Sequence, residues 1–543
     1  MRRRPALIAT LSILVCGPSF AAELLQADVC VYGATPSGIL AAVTAKQEGK
    51  TVVLIEPSRW LGGILGAGIK PRQDCPEPKA VGGLTQSKVF IAGKSPPEIR
   101  EFFTKWLEEE KVPVVYEHRV TRVEKEGARI TQLDLERAPP DEHGIPVTKA
   151  KAGPGKSVTA KVFIDASYEG DVMAKAAVPY AVGRDARDLY DEEPAGVREP
   201  TLWRPVDPYV EQGKPESGLL PLVDADHGKP LGAGDDYTQA YNYRFYVTND
   251  PAKRVEITPP ENYDPKQFEV VGRYVEYIMQ WAGGDMKKAQ PRLASIFPGW
   301  KNAGEYNYQR NSLITIAPLG VSRYYQDGDW AARSRVWHQH RDHLRGLHHF
   351  LSTDSRVPAS FRQETAALGM DRTMHEDTGG WPNQLYVRIS RRMMGSYVLT
   401  HADVLNRTEA DDSVGLALYG VDIYPVRRYA ARDPKTGEMG VAVEGNMFIG
   451  GAKGTGQPYP IPYRSIIPKA EDCTNLIVPI CFSSSYIAYA SARMEPVFCV
   501  LGESAGVAAV QAINAGTSVQ QIDKAALRAR LLDRGQVLSW KPE

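Results

Sequence analysis

In the stretch VYGATPSGILAA, Gly33, Thr35, Pro36, Ser37 and Gly38 stand where a strand turns into a helix, and Glu56 closes the next apolar run. Small residues at such a turn bring backbone N–H groups at a helix N-terminus close to an anion. An acid ~20 residues further on accepts ribose hydroxyls. The joint chemistry is the holding of a dinucleotide pyrophosphate. Thr35 occupies the place of the middle glycine, so its hydroxyl could bond a phosphate or its bulk could push the pyrophosphate outward. Pro36 lacks an N–H but suits a first helical turn.

These residues act together only if the right elements carry them. Val29 and Val31 alternate into a short strand, Gly33 ends it, and Ser37 to Ala42 has a helical pattern. After Gly49, TVVLIE reads as a strand buried in a parallel sheet. An ordinary turn with incidental glycines is the alternative, and the strand context together with the acid favours the nucleotide loop. Further on, VPVVYEHRVTRVEKEGARITQLDLE alternates about a Glu126-Gly127 turn and predicts a hairpin. Helices are expected over Tyr274 to Trp281, over Asp329 to Phe350, from near Arg493 to Pro496 onward, and over Val519 to Leu532. Gly502 and Gly506 are spaced for close helix packing.

The chain has 543 residues, 43% hydrophobic and 24% charged, enough for a sizeable core and more than one domain. Lys+Arg and Asp+Glu are both 65, which offers no basis for a nucleic-acid partner and points to a small molecule. Arg2, Arg3 and Arg4 precede an apolar run from Ala6 to Val15, with small residues Ser19 and Ala21 at a plausible cleavage site, the pattern of a secretory signal over residues 1–21. The arginines fit a Sec signal better than a twin-arginine one, and the run is too short for a membrane anchor. No transmembrane segment is expected after its removal, and the expected location is the periplasm or outside. The remaining cysteines have no Cys-x-x-Cys spacing, so neither a disulfide framework nor an iron–sulfur cluster is implied.

After Glu56 the sequence continues PSRWLGGILGAGI, and Arg59-Trp60-Leu61-Gly62-Gly63 resembles the second dinucleotide fingerprint of two-domain FAD enzymes. The run KVFIDASYEGDVMAKAAVPYAVGRDA resembles the Asp-Ala-Ser/Thr-x-x-Gly-Asp motif where such chains re-enter the FAD domain. The run from Ile461 to Ala509 is similar to their closing strand and helix. Over most of Asp28 to Gly516 the chain is similar to the FAD-dependent oxidoreductase family, near the fumarate reductase and heterodisulfide reductase A-like flavoproteins. It departs from that pattern at Pro479-Ile480-Cys481, where the family has Ala-Gly-Arg.

The resemblance implies an α/β fold: a discontinuous Rossmann-like FAD-binding domain, with a parallel sheet and an antiparallel β-hairpin layer, and a large inserted α+β substrate domain. The FAD-binding parts are expected at 27–186 and 461–516, the insert at 187–460 and a helical tail at 517–543. The cofactor is FAD. The cofactor-binding residues are then Gly33, Thr35, Pro36, Ser37, Gly38, Glu56, Gly62, Gly63, Val120, Ala166, Ser167 and Asp171. Val120 would meet the adenine through its backbone, or serve the hairpin alone. Arg493 and Met494, at the start of the last long helix, would neighbour the flavin ring, where the helix dipole favours the charge that gathers on hydride acceptance.

In QLYVRISRRMMGSYVLTHADVL the family places a helix beside the active site, on which Arg388 with Arg391 or Arg392 could clamp a carboxylate or polar substrate. His401 and His375 are possible general bases. The histidines of WHQHRDHLRGLHHF lack a metal-ligand pattern and read as a polar helix face, so no metal is expected. No Gly-x-Ser-x-Gly elbow supports a serine hydrolase, and Ser483 to Ser485 read as a small-residue turn near the flavin. The expected function is an exported FAD-dependent oxidoreductase, dehydrogenase or reductase. It would pass a hydride between flavin and a small sugar-derived or carboxylate substrate, with an electron acceptor that the residues do not select. The alternative is a secreted ligand-binding protein that keeps the fold without turnover.

Overall fold

A computed structural model describes residues 23–153, 155–297, 303–307, 310–450 and 457–541. The signal expected over residues 1–21 lies outside them. Strand β1 (Glu23–Tyr32) leads through Gly33 into helix α1 (Pro36–Gln47), and β2 (Val52–Glu56) lies parallel to β1. All five residues of β2 are buried, as its unbroken apolar run requires of a strand covered on both faces. Strand β3 (Val114–Tyr116) extends the sheet beyond β2.

The other half of the sheet turns on one long strand. β4 (His118–Glu126) and β5 (Arg129–Arg137) form the expected hairpin, and β6 (Lys156–Asp165) runs parallel to β1 along almost its whole length. The first residues of β6 take β5 antiparallel, Val158 opposite Leu133. Its last residues take β7 (Leu476–Ile477) in parallel, Phe163 beside Leu476. One strand therefore joins the hairpin layer to a segment more than three hundred residues away in sequence. Asn475 fastens this junction: its side chain accepts from Ile130 N–H at 2.9 Å and donates to the Ile130 carbonyl at 2.9 Å and the Lys161 carbonyl at 3.1 Å.

Between these parts lie antiparallel sheets and helix α2 (Trp330–Thr353). In one sheet Phe245–Thr248 is flanked by Ala303–Tyr306 and Gly369–Asp371. In another, Met439–Glu444 joins Arg427–Arg432 to Pro200–Arg204. Asp329 caps α2 by accepting from Ala332 N–H at 2.8 Å. The expected polar histidine face of this helix is corrected. His340, His343 and His348 are buried and bond to the carbonyls of Val336, Thr315 and Thr365 at 2.7, 2.9 and 2.9 Å. Burial holds each imidazole at about 4, so the three serve as neutral core residues. Among the described residues no cluster of His, Cys, Asp and Glu could hold a metal ion.

After β7 the chain forms α3 (Tyr486–Ala492), capped by Ser485, which accepts from Ala488 N–H at 3.1 Å, and then α4 (Glu495–Ala515). α4 is long and apolar enough to cross a membrane by length and composition, yet 89% of that stretch is buried. It lies against α1, where a Cβ on Gly502 would sit 2.1 Å from the Ser37 carbonyl. Only a residue without a side chain lets the two backbones approach so closely. The helix expected over Val519 to Leu532 forms only from Lys524 to Asp533, because Asp523 caps it there by accepting from Ala525 and Ala526 N–H.

Candidate active site

A cleft opens at the carboxyl ends of β1, β2 and β6, the edge where an open parallel sheet binds nucleotides. Gly33, Thr35, Glu56, Gly63, Ser167 and Tyr168 line it from the sheet side. Trp330 and Trp337 of α2, with Tyr325 and Asn383, complete its lining.

Each sheet-side residue has a local cause for its place. Gly33 has φ +96°, and a Cβ there would meet the Ala166 carbonyl at 2.8 Å. Thr35 turns its hydroxyl into the loop, accepting from Gly38 N–H at 3.2 Å and donating to the Ala166 carbonyl at 2.8 Å. It caps α1 instead of obstructing its N-terminus, which answers what a threonine does in place of the middle glycine. Pro36 fills the first helical position, and Ser37 is fully buried with a hydroxyl that has no partner among the described residues. A helix N-terminus with an unsatisfied hydroxyl beside it suits a phosphate.

The Glu56 carboxylate receives Ala34 N–H at 2.7 Å and Ser58 N–H at 2.8 Å. Burial raises its pKa. The Ala166 N–H bonds the Tyr32 carbonyl at 2.8 Å, and the Ser167 hydroxyl holds Asp165 at 2.7 Å. The paired glycines divide their work. Gly63 faces the cleft, where a Cβ would strike the Tyr168 hydroxyl at 2.6 Å, whereas a Cβ on Gly62 would strike Phe103. Val120 is fully buried and its N–H reaches the Tyr32 hydroxyl at 3.2 Å, so the cleft wall beside it is Arg119.

Tyr168 donates to Glu495 at 2.8 Å, and Glu495 opens α4 directly after Arg493 and Met494. Burial pushes the Glu495 carboxyl up to about 8. Met494 is buried, and its carbonyl accepts from Val497 and Phe498 N–H at 2.9 and 3.1 Å. Arg493 leads from there to a second group of residues. It donates to the Tyr386 hydroxyl at 3.1 Å and to the Asp422 carbonyl at 2.9 Å. Arg388 lies over the rings of Tyr386 and Tyr424, 4.3 and 4.0 Å from their centroids. Arg310 lies over Tyr424 at 4.5 Å. Arg244 holds Gln73 at 3.0 Å and pairs with Glu305. Four guanidinium groups thus gather beside the start of α4.

Arg388 differs from the other three. It is 2% exposed and no carboxylate pairs with it among the described residues. One nitrogen donates to the Ala240 carbonyl at 2.7 Å, and Nε and Nη2 have no partner there. Burial pulls its pKa down to about 10. A buried cation left with two free donors is costly unless an anion completes it.

The helix expected to carry Arg388, Arg391 and Arg392 is corrected: the segment is extended. Tyr386 bridges to Asn242, and Arg392–Met393 pairs with Tyr180–Ala181. Its β-branched and aromatic residues follow the pairing strands, so alternation replaces the helical period. The three arginines consequently part company. Arg391 binds Asp171 at 3.0 Å and Asp327 at 2.8 Å. Arg392 binds Asp185 at 2.7 Å. Asp171 holds Arg333 of α2 through two bonds of 2.7 Å. His401 is half-buried at the start of a short helix, and its backbone N–H donates to Glu192 at 2.7 Å. No contact among the described residues joins it to Arg388 or Arg493. His375 is fully buried against Arg100 at 3.2 Å, and burial with that guanidinium holds it at about 3.

Sequence reasoning missed Trp330, Trp337 and Tyr168 in the cleft, and Arg244, Arg310, Tyr386 and Tyr424 in the cationic group. Tyr386 lies two residues from Arg388 and was within reach of a strand reading. Arg310 and Tyr424 carry no local signal.

The family model described as FAD dependent oxidoreductase matches residues 28–531. Solved structures similar to part of the chain include THI4 from Thermovibrio ammonificans, at 15% identity and TM-score 0.21, covering 29% of this chain and 64% of that one. A flavoprotein/dehydrogenase from Cytophaga hutchinsonii matches at 16% identity and TM-score 0.20, over 28% of this chain and 42% of that one. The 3-ketosteroid-Δ4-(5α)-dehydrogenase from Rhodococcus jostii RHA1 matches at 12% identity and TM-score 0.19, over 29% and 49%. The chain covers less than two thirds of the length of each. No curated protein matches the chain.

Proposed function

We propose, from the premise that the chain belongs to the FAD-dependent oxidoreductase family, that it passes a hydride between bound FAD and a small substrate carrying a carboxylate. The residues present fit the cofactor. The glycine turn, the N-terminus of α1 and the Ser37 hydroxyl, which has no partner among the described residues, suit the pyrophosphate, and Glu56 suits a ribose. Gly33, Thr35, Pro36, Gly38, Gly62, Gly63, Ala166 and Ser167 would shape that cradle. Arg493 and Met494 would neighbour the ring, Val120 would support the adenine end, and Asp171 would act through Arg333 and Arg391. Bound FAD supplies the two-electron chemistry. The chain's own residues bind and orient the substrate and exclude water from it.

The single observation that carries the carboxylate reading is Arg388, buried without an anion and with two donors unused among the described residues. Arg391, expected to clamp with it, is engaged by two acids, so Arg493 is the better partner for Arg388. The other reading, a ligand-binding protein without turnover, rests on Thr35, and a hydroxyl engaged inside the loop removes its main support. Export is proposed from Arg2 to Ala21 alone.

The test is anaerobic reduction of the protein-bound flavin by a panel of hydroxy acids and sugar acids set against neutral sugars and polyols. Bleaching by the acids is expected, and bleaching by neutral donors only would sink the carboxylate reading. A cofactor test accompanies it. In Gly38→Ala the new Cβ would lie 1.9 Å from the Gly33 carbonyl, so the turn must open. The purified variant is expected to hold about tenfold less flavin per chain, which requires at least a tenfold rise in the dissociation constant, a loss of about 1.4 kcal/mol or more in binding. Flavin released on denaturation measures this directly.

A further inference from the structure

Among the residues that line the cleft, Glu56 and Glu169 are the acids. Glu56 suits a ribose, but nothing so far uses Glu169. It belongs to the loop after β6, which packs on the glycine turn: a Cβ on Gly33 would lie 2.8 Å from the Ser167 nitrogen, and Thr35 donates to the Ala166 carbonyl at 2.8 Å. Glu169 thus shares the cleft with the turn that suits a pyrophosphate. One carboxyl oxygen accepts from the Tyr325 hydroxyl at 2.8 Å. The other has no hydrogen bond or salt bridge among the described residues, and the residue is half-buried. The neighbouring cations are committed elsewhere. Arg333 gives two bonds to Asp171, and Arg391 reaches only the backbone carbonyl of Glu169, at 2.9 Å.

We propose that Glu169 takes up a proton when FAD binds and faces the bound cofactor as a neutral acid. This rests on the placing of the pyrophosphate at the glycine turn given above, and on no particular substrate. An ionised carboxylate in the same cleft as a pyrophosphate is repelled well beyond contact distance, because the dielectric there is low and no cation pairs with it among the described residues. Protonation removes the repulsion and leaves an O–H to donate. The proton comes from solvent, and no bond of the cofactor changes.

The groups that face Glu169 leave it poised for this step. Burial pushes its carboxyl up to about 7; Asp171 and Asp165 add to the rise, while Arg333 and the Tyr325 hydroxyl resist it. Burial, joined by the charge of Glu169 and its neighbours, holds the Tyr241 phenol and the Cys481 thiol well above their ordinary values, so both stay neutral. Glu56, the other acid of the cleft, is also raised by burial.

The FAD affinity of the purified holoenzyme against pH tests the proposal, measured as flavin that passes an ultrafiltration membrane on dilution. The dissociation constant is expected to rise about tenfold between about pH 6 and pH 8, as one proton linked to a carboxyl of this range requires. Glu169→Gln keeps the shape and is neutral at every pH, so its dissociation constant should vary less than about twofold over that span. In Tyr325→Phe the carboxylate loses its hydrogen-bond donor, and the rise should move to higher pH. A residue that merely packed the cleft would change affinity without moving that midpoint. Wild-type affinity that ignores pH, or a pH dependence that survives in Glu169→Gln, overturns the proposal. Gly38→Ala separates it from the cradle itself. If that variant holds flavin poorly while wild-type affinity ignores pH, the role of Glu169 falls and the cradle stands. If it holds flavin as well as the wild type, the pyrophosphate lies elsewhere and both fall.

Discussion

Arg388→Met is expected to lower kcat/KM for a carboxylate donor by ~30-fold to 10³-fold, which is about 2–4 kcal/mol of transition-state stabilisation. The size follows from the setting. The guanidinium is buried between two tyrosine rings, it has no carboxylate partner among the described residues, and two of its nitrogens await acceptors. A charge contact made in so dry a place is worth far more than one on the surface. Steady-state kinetics against the best donor measures the loss, and Arg388→Lys should recover only part of it, because an ammonium cannot reproduce a two-nitrogen fork. A melting curve separates this role from a structural one. Replacing an uncompensated buried cation with an apolar side chain of similar length relieves a desolvation cost, so the melting temperature should hold or rise. A marked fall in stability with unchanged kinetics would assign Arg388 to the fold.

Asp171→Ala is expected to cost about 3–5 kcal/mol of stability, because it leaves Arg333 buried without its two bonds and takes one partner from Arg391. Thermal melting should show a fall of a few degrees for a chain of this size. The double variant Asp171→Leu with Arg333→Met should lose much less, since it removes both charges together. The pH dependence has a definite sign. Burial works to raise the Asp171 carboxyl, but Arg333 and Arg391 prevail and hold it well below the usual carboxylate range. Its contribution is therefore complete above the unfolded value of about 3.9 and is lost as the pH falls from there towards the folded value. Wild type and Asp171→Ala should differ at neutral pH and converge in acid. A difference that persists undiminished at low pH would mean that Asp171 stabilises by packing. Because Arg391 lies three residues from Arg388, the variant should also slow turnover, and Asp171 would then be a positioning residue.

The chemistry of the cleft was legible wherever a backbone requirement shows itself in residue type. Gly33, Gly38 and Gly63 have no side chain because a carbonyl or a phenol occupies the space a Cβ would need. The apolar run of β2 reads as buried because it is buried on both faces. The helix expected around Arg388 came from the family resemblance, whereas the segment is extended because its period is set by strand partners remote in sequence. His340, His343 and His348 of α2 read as part of a polar face because imidazole is polar, and they are buried whereas His338 is exposed. Their burial depends on carbonyls of other segments that accept their N–H groups.

The sequence by itself determined the glycine turn, the strands that frame it, the hairpin and the last long helix, together with the family those features resemble. Each is specified by neighbours within a few turns of chain, through glycine geometry, capping and hydrophobic period. Only the tertiary structure decided which charges meet. It gave Arg391 to two acids, left Arg388 without one among the described residues, and brought Arg244, Arg310, Arg493 and Tyr424 to the same place from four distant segments. An ion pair or an unpaired cation is a property of distance in space, and no local pattern of residues encodes it.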